Sequence, residues 1–384
     1  MKICFVNPTK GQRPLYMVAK KLADRGHTAT ILQPIGGGQR YPAWDNVQII
    51  YLPCRYVPEV RFTVPPFRQQ YELMARLVAE EGFDLIHAYD YHYLTALPPI
   101  LVKKRLGVPI TLTSNALVGI SWFYGKYLID QAARVYAHTV GRFILRSYDR
   151  LIFIHNALPH QLDSFLPSHP PTYVIPNGID FERFNTLNRG KRRGLGIGEN
   201  EKVLLFVGRL VVVKKFELIL EVTRQLAGKG LPVKLVVVGD GSLREHYERL
   251  AALLGDKVIF VGKVPATAVK DYYAIADALV LSSRSEGLPA VVMEAAACGV
   301  PSVVSNVGGL AELVRHGETG FLYEPDDIDS FTHYTESLLT NPEMAVAMGK
   351  RARDHIWQNF NWDLIADQYE ALFEQAIQAS HTVV

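Results

Sequence analysis

Two glutamates in one short segment are the first candidates for chemistry. The segment reads SEGLPAVVMEAAACGVP from Ser285 to Pro301, with Glu286 in a predicted turn and Glu294 in a predicted short helix. Every other residue of that helix is apolar, and a carboxylate buried there costs free energy unless it is hydrogen-bonded. Vicinal ribose hydroxyls would satisfy both oxygens of Glu294, while Glu286 would lie near an anionic ligand at the helix N-terminus. Alternatively, Glu294 pairs with an internal arginine and Glu286 is a solvated loop charge.

Basic residues follow a predicted strand in the second half of the chain. An apolar run is followed by Gly208 and Arg209, and then by Lys214 and Lys215. Parallel α/β sheets bind ligands at the carboxyl ends of their strands, so Arg209 and Lys214 predict an anion there. Such cations would stabilise the charge that develops on a diphosphate leaving group without a metal ion. The alternative is surface cations after a strand, and on that ground Lys215 is left out of the site.

Two glycine-rich turns follow other predicted strands. Gly239 and Gly241 flank Asp240 before one helix, and Gly308 and Gly309 follow a later strand. Glycines at such turns either serve turn geometry alone or let the backbone approach a ligand closely.

The elements that must position these residues repeat one pattern twice. Short runs rich in Val, Ile and Leu alternate with amphipathic stretches, first from Ile3 to Thr113 and again from Val203 to Ser305. The alternation predicts parallel β/α sheets, and a length of 384 residues favours two domains. A turn-rich linker separates the domains, which are predicted at residues 1–185 and 200–361. A final helix over 362–384 has one apolar face.

Composition and charge exclude several classes of protein. With 48% hydrophobic residues, 21% charged residues and a formal net charge of +3, the chain is typical of a globular protein and not of a nucleic-acid binder. Cys4, Cys54 and Cys298 lie in or beside apolar runs, which predicts reduced thiols and a cytoplasmic location. The chain starts directly in a strand-like run, so no secretory signal is expected. The apolar runs fall short of the ~20 residues of a membrane span, so any membrane contact is expected to be peripheral.

Taken together, these motifs resemble the retaining glycosyltransferases of family 4, which have the GT-B fold. The resemblance rests on Gly208-Arg209-Leu210 with Lys214, Glu286 with Glu294, Val307-Gly308-Gly309 with Glu312, and Ile175–Asp180. It extends over almost the whole chain, including Arg25-Gly26-His27 and Phe360-Asn361-Trp362. It implies two Rossmann-like β/α/β domains facing each other across a cleft, with the helix at 362–384 packing back on the N-terminal domain.

The resemblance also implies roles for individual residues. Arg209 and Lys214 would act on the diphosphate and Glu286 at the donor sugar, and these three would be the catalytic residues. Glu294 would bind the ribose, and Val264 would lie near the base. The other donor-binding residues would be Gly11, Gly208, Gly239, Gly287 and Leu288. The donor would be a nucleotide sugar, with UDP- or GDP-sugars favoured, and transfer would retain the anomeric configuration without a metal or other cofactor.

The N-terminal half departs from the family pattern. One glycine is missing around Gly11, and Asn115 stands where many members have a histidine near the reacting sugar. Tyr89 replaces a second common histidine after His87, so His87 and Asn115 are the acceptor-side candidates. Asn115 cannot act as a general base, so the proton would pass to the donor phosphate or to another residue.

Two further patterns look like metal sites and are rejected. Asp327-Ile328-Asp329 resembles the metal-binding DxD of the other glycosyltransferase fold, but it lies in an acidic turn late in the second domain and is interpreted as a solvated loop. His87 and His92 have no third ligand at a recognised spacing. No metal is therefore predicted.

Residues 118–150 combine aromatic and basic side chains. The aromatic residues are Trp122, Phe123, Tyr124 and Tyr127, and the basic row at intervals of four is Arg134, His138, Arg142, Arg146 and Arg150. This chemistry suits anionic headgroups, which predicts peripheral contact with the inner membrane face and a lipid-linked acceptor. The alternative is a solvated helix face with aromatic packing above it.

The leading hypothesis is therefore an enzyme that moves a hexose or related sugar from a nucleotide to a glycan or lipid-linked acceptor. Two other functions stay open. A phosphorylase or hydrolase with the same fold would use phosphate or water as acceptor. A non-catalytic protein would only bind sugar nucleotides. The missing glycine and histidine favour this last hypothesis, whereas the complete set of C-terminal charged residues argues against it.

Overall fold

The chain forms two compact α/β units. The computed structural model describes residues 1–9, 13–35, 46–57, 62–125, 127–184 and 190–382. One unit consists of Met1–Gly178 with Trp362–Val384, and the other of Ile179–Asn361. Each is built on a parallel sheet, which confirms the predicted class of two Rossmann-like units.

The first unit is organised around a seven-stranded sheet. The strands of the whole unit are β1 (Lys2–Val6), β2 (Thr28–Ile35), β3 (Val47–Pro53), β4 (Arg55–Val57), β5 (Phe62–Val64), β6 (Leu85–Tyr89), β7 (Ile110–Ser114), β8 (Arg150–Phe153) and β9 (Thr172–Val174). The sheet order is β3-β2-β1-β6-β7-β8-β9, and all neighbouring strands are parallel. Strands β4 and β5 form a separate antiparallel ribbon.

Helices connect these strands. They are α1 (Arg13–Asp24), α2 (Phe67–Ala79), α3 (Pro98–Leu106), α4 (Tyr127–Tyr136), α5 (Arg142–Ser147) and α6 (Ala157–Phe165). A 3₁₀ turn, Leu94–Ala96, precedes α3, and a π-helical segment, Ala137–Gly141, joins α4 to α5.

The second unit is organised around a six-stranded sheet. Its strands are β10 (Lys202–Val207), β11 (Val233–Val238), β12 (Val258–Gly262), β13 (Ala278–Leu281), β14 (Ser302–Ser305) and β15 (Gly320–Tyr323). Their order is β12-β11-β10-β13-β14-β15, again with all neighbours parallel. Every residue of β11 is buried, as expected for a parallel strand covered on both faces.

The helices of the second unit follow the same alternation. They are α7 (Lys191–Gly194), α8 (Phe216–Gly228), α9 (Arg244–Ala251), α10 (Lys270–Tyr273), α11 (Ala290–Ala297), α12 (Leu310–Leu313), α13 (Ile328–Thr340) and α14 (Pro342–Phe360). Short 3₁₀ turns occur at Phe181–Phe184, Val212–Lys214 and Ala252–Lys257.

The first unit ends earlier than the sequence predicted. It ends at Gly178 rather than at residue 185, and the described part of the expected linker belongs to the second unit. Ile179, Phe181 and Phe184 are buried, and Ile179 N donates a hydrogen bond to Phe360 O at 2.8 Å. Burial of these apolar side chains attaches the segment to the second unit.

The last helix, α15 (Trp362–Thr382), packs on the first unit. Its buried face joins the core formed by β1, β2 and α1 through Trp362, Ile365, Tyr369, Leu372, Phe373 and Ala376. Arg25 forms ion pairs with Asp367 at 2.7 Å and with Glu370 at 2.6 Å. His27 also contacts Glu370, at 2.6 Å. The turn after α1 therefore holds the last helix by charge as well as by packing.

Helix α11, which carries Glu294, ends against α14. Gly299 has φ +74°, and Val300 N donates to Ala295 O at 2.9 Å, as in a Schellman C-cap. A Cβ atom added to Gly349 of α14 would lie 1.9 Å from Gly299 O. Only glycine at position 349 allows the two helices to approach this closely.

We expect Gly349→Ala to destabilise the second unit by about 2 kcal/mol, because the added methyl group would overlap the backbone. Gly228→Ala is the matched control, since that helical glycine has no atom within 4 Å of an added Cβ. Thermal unfolding of both variants measures the difference. Equal stabilities would contradict a tight contact between α11 and α14.

Candidate active site

The second sheet reverses its direction of growth at β10 and β13. Successive strands lie outward from β10 through β11 to β12, whereas β13 lies on the other side of β10 and continues to β14 and β15. Loops that leave neighbouring strands at such a switch point diverge, and α/β proteins bind ligands there. Arg209 and Lys214 lie in the loop after β10, and Glu286 lies in the loop after β13.

A shielded ion pair joins these two loops. Lys214 Nζ lies 2.5 Å from Glu286 Oε1, and the two side chains are 14% and 10% exposed. The Ser283 hydroxyl donates to the same glutamate oxygen at 2.5 Å. Low exposure reduces solvent screening, so this pair interacts more strongly than a typical surface pair. The structure thus brings together two of the three predicted catalytic residues.

Three serines that the sequence analysis missed support the loops. The Ser282 hydroxyl donates to the carbonyl oxygens of Lys214 at 2.9 Å and Lys215 at 2.8 Å. The Ser305 hydroxyl donates to Ser283 O at 2.6 Å. All three serines are buried. The hydroxyls of Ser282 and Ser305 satisfy backbone carbonyls at the edge of the sheet, whereas the Ser283 hydroxyl satisfies the Glu286 carboxylate. The sequence signal for Ser282 and Ser283 was a pair of polar residues directly after an apolar strand.

Glu294 has a buried phenol as a partner. It is half-buried on α11, and its Oε2 accepts a hydrogen bond from Tyr273 OH at 2.8 Å. Burial and the charge of Glu294 raise the pKa of Tyr273 well above its usual value, so the hydroxyl remains a donor. The sequence suggested either a ribose or an internal arginine for Glu294, and neither alternative included this tyrosine.

Glycines allow neighbouring loops to touch through their backbones. A Cβ atom on Gly239, where φ is +133°, would lie 1.9 Å from Gly208 O. A Cβ atom on Gly308, where φ is +57°, would lie 1.8 Å from Glu286 O. These glycines therefore do more than complete turns, because they fix the distance between the loops that carry the charged residues.

The remaining predicted site residues of the second unit lie along the same edge. Arg209 is exposed and has no ion-pair partner among the residues that the structure describes. The carbonyl oxygen of Gly287 accepts a hydrogen bond from Gly309 N at 2.8 Å, and Leu288 is buried. Val264 is half-buried after β12, the outermost strand on that side of the sheet.

We expect Gly308→Ala to lower turnover at least about 100-fold, because the new methyl group would displace the backbone of Glu286. Gly317→Ala is the matched control: φ is +77° there, but no atom lies within 4 Å of an added Cβ. It should cost about 1 kcal/mol of stability and leave turnover unchanged. Turnover and thermal unfolding separate the two effects, and equal turnover in both variants would contradict this account.

The first sheet also has polar residues at its carboxyl edge. Asn115 follows β7, and its backbone N donates to Asp90 Oδ1 at 2.9 Å, while its Nδ2 lies 3.2 Å from Oδ2. Asp90 follows the neighbouring β6, is 3% exposed and has φ +57°. A buried carboxylate whose backbone has a rarely populated positive φ is a candidate functional residue. In the sequence, Asp90 was recognisable only as a polar residue that follows a strand. The predicted residue Gly11 lies outside the described residues.

His87 lies in the core of the first unit. Its Nδ1 lies 2.8 Å from Thr111 Oγ1, and its Nε2 lies 3.2 Å from Thr113 Oγ1. The rings of Tyr369 and Phe373 from α15 pack on it at centroid distances of 5.7 and 5.1 Å. Burial lowers the pKa of His87 to about 3, so the ring is neutral. Because it is fully buried and both nitrogens are engaged, its position does not support the predicted acceptor-side role.

Burial of His87 should make the first unit sensitive to acid. The folded state takes up a proton at His87 only near pH 3, whereas an unfolded histidine does so near pH ~6.5. Between these values the unfolded state binds more protons, so the free energy of unfolding falls as pH falls, by up to about 1.4 kcal/mol per pH unit.

Chemical denaturation at pH ~7 and ~5 should show a smaller loss of stability in His87→Asn than in the wild type. The same replacement at the exposed His160 is the control for removing a histidine. An unchanged pH dependence in His87→Asn would show that another group causes the acid sensitivity.

The two rejected metal patterns have structural roles. We expected Asp327 to lie in a solvated loop. Instead it is the N-cap of α13, where its Oδ1 accepts a hydrogen bond from Ser330 N at 3.0 Å. The His92 ring packs on Tyr93 at 4.2 Å. Within the described ranges, no group of three or more His, Cys, Asp or Glu side chains could hold a metal ion.

Solved structures with this architecture define the class of fold. The sucrose-phosphate synthase of Thermosynechococcus elongatus has a TM-score of 0.80 and 23% identity, covering 99% of this chain and 100% of that one. Anabaena Alr3699/HepE in complex with UDP-glucose has a TM-score of 0.74 and 18% identity, covering 98% and 100%. The chain has the GT-B fold of glycosyltransferases.

Sequence relatives then identify the family. The model for glycosyl transferases group 1 matches residues 188–355, and the model for glycosyltransferase family 4 matches residues 12–183. The uncharacterized glycosyltransferase MJ1607 of Methanocaldococcus jannaschii is 32% identical over 94% of this chain and 93% of its own length. The N-acetyl-alpha-D-glucosaminyl L-malate synthase of Bacillus anthracis is 25% identical over 94% and 92%. The chain belongs to glycosyltransferase family 4 and is a glycosyltransferase.

Proposed function

We propose that this enzyme transfers a sugar from a UDP- or GDP-sugar to a glycan or lipid-linked acceptor, with retention at the anomeric carbon and without a metal ion. The observation that carries the proposal is the shielded contact of Lys214 with Glu286 at the point where β10 and β13 diverge. The complex of HepE with UDP-glucose makes that sugar nucleotide the first donor to test.

The charges of the second unit suit a sugar diphosphate. Negative charge grows on the diphosphate as the bond between the anomeric carbon and the phosphate oxygen breaks, and Arg209 and Lys214 would stabilise it. Glu286 balances the charge of Lys214. A bound diphosphate would take over that interaction, leaving the Glu286 carboxylate to accept hydrogen bonds from the sugar hydroxyls.

The nucleoside would lie along the same edge. Glu294 would accept hydrogen bonds from the ribose hydroxyls, with Tyr273 holding the carboxylate from the core side. Val264 would contact the base. Backbone groups around Gly208, Gly239, Gly287 and Leu288 would approach the donor, as glycine-rich turns at strand ends allow.

The acceptor hydroxyl is assigned to the carboxyl edge of the first sheet, next to Asn115. Asp90 orients the Asn115 amide, which can donate to the acceptor oxygen but cannot take its proton. The proton would pass to the leaving diphosphate oxygen while the new bond forms on the face that the diphosphate leaves, which retains the configuration. Relatives named for L-malate and D-inositol 3-phosphate add small hydroxylated anions to the acceptors worth testing.

We expect Lys214→Ala to bind the donor at least about tenfold more weakly and to turn over about 100- to 1000-fold more slowly, because one stabilising cation is lost. Lys215→Ala is the matched control, since the Lys215 ammonium lies 3.4 Å from Glu217. Thermal-shift titrations with UDP, GDP, ADP and their sugars select the donor, because ligand binding raises apparent stability. Turnover and the anomeric configuration of the product are then measured with and without EDTA.

Each alternative function gives a different result. Wild-type binding and turnover in Lys214→Ala would contradict the site, and loss of turnover in EDTA would contradict metal-independent transfer. Phosphate-dependent cleavage without a nucleotide would indicate a phosphorylase. Nucleotide binding without turnover on any acceptor would indicate a non-catalytic binding protein.

A further inference from the structure

One continuous helix of the first unit exposes an unusual amount of apolar surface. Helix α4, the π-helical segment and α5 follow one another without interruption, and α4 has no buried residue. The exposed fractions are 76% for Tyr127, 81% for Leu128, 65% for Val135 and 48% for Phe143. Of the exposed large apolar side chains described in the first unit, only Phe67 lies outside residues 101–143. Apolar exposure is therefore concentrated and not scattered.

Three of these residues share one face of the helix. Leu128 and Val135 are seven residues apart, which is two turns of an α-helix. Phe143 follows Val135 by eight residues, and the intervening π-helical segment accommodates the additional residue. We call Leu128, Val135 and Phe143 the outer stripe.

The surroundings of the outer stripe are basic. Helix α3 and residues 127–149 contain six Lys or Arg residues and two Asp residues, against a formal net charge of +3 for the whole chain. Asp130 accepts a backbone hydrogen bond at 2.6 Å, and Asp149 forms an ion pair at 2.7 Å. The ammonium group of Lys104 from α3 lies 5.7 Å from the centre of the Phe143 ring. Positive charge is therefore in excess directly beside the apolar residues.

Only part of the basic row predicted from the sequence is available to a ligand. Arg142 donates to Phe165 O at 3.0 Å and stacks on the Phe165 ring at 4.7 Å, so it supports the fold. Arg134, His138 and Arg146 are exposed, although Arg134 also stacks on the Phe123 ring at 4.8 Å and Arg146 Nε donates to Ser168 O at 3.4 Å. The surface thus combines apolar side chains with the exposed guanidinium groups of Arg134 and Arg146.

We propose that the outer stripe docks this protein peripherally on an anionic membrane surface. Apolar side chains would enter the headgroup region while the neighbouring cations bind lipid phosphates. None of the helices in the described ranges is long and apolar enough to cross a membrane. A second copy of the chain fits less well, because a two-fold contact would oppose identical basic residues. The inference goes beyond the proposed function and does not depend on the donor or acceptor.

The test uses the full chain and two kinds of vesicle, phosphatidylcholine alone and phosphatidylcholine with about one third phosphatidylglycerol. We expect the wild type to cosediment with the anionic vesicles, and Leu128→Ser/Val135→Ser to bind them at least about tenfold more weakly. The matched control is Leu253→Ser/Val346→Ser in the second unit, where these side chains are 92% and 72% exposed. The control variant should bind as the wild type does.

Other results would overturn the proposal. The proposal is wrong if the wild type does not bind anionic vesicles, or if the outer-stripe variant binds them as tightly as the wild type does. If the wild type self-associates in sedimentation without binding vesicles, and the outer-stripe variant is monomeric, the surface joins two copies of the chain instead. Neither variant changes a residue assigned to donor or acceptor, so vesicle binding and turnover can fail independently.

Discussion

Neighbouring loops at the carboxyl edge of the second sheet meet backbone to backbone, with no side chain between them. Gly239 lies against the carbonyl of Gly208, and Gly308 lies against the carbonyl of Glu286. Main-chain contacts leave little freedom for the loops, so the charged side chains they carry are positioned before any ligand arrives. An electrostatic site benefits from this arrangement, because fixed charges need not reorganise during the reaction. The buried serine hydroxyls add to the same restraint.

The first unit shows how a shift of three residues along the chain, from inside a strand to its end, changes what a side chain can do. His87 lies within β6, where aromatic rings and threonine hydroxyls enclose it and burial keeps it neutral. Asp90 comes directly after the same strand, at the edge where it can hold the Asn115 amide. From residue type alone, His87 was a more attractive candidate for contact with the acceptor than Asp90. Its depth in the fold decides otherwise, because a group enclosed by core side chains cannot contact an acceptor.

The sequence predicted the two parallel sheets well, because runs of apolar residues alternating with amphipathic stretches leave few other architectures. It also placed Lys214 and Glu286 correctly after their strands, although their contact depends on strand order. Other features depend on contacts between distant residues. Glu294 meets Tyr273 across two helices, and the apolar residues that attach residues 179–184 to the second unit lie among turn residues typical of a linker. The place of Phe143 in the outer stripe was missed because the π-helical segment adds one residue between Val135 and Phe143.

The order of the elements along the chain matters for synthesis on the ribosome. The core of the first unit includes Trp362, Tyr369 and Phe373 of α15, which follow the entire second unit in the sequence. The second unit is continuous, so it can fold as soon as it emerges. The N-terminal sheet emerges first but must wait for α15 with part of its apolar surface uncovered. For this chain, therefore, the half that is translated first is the half that is completed last.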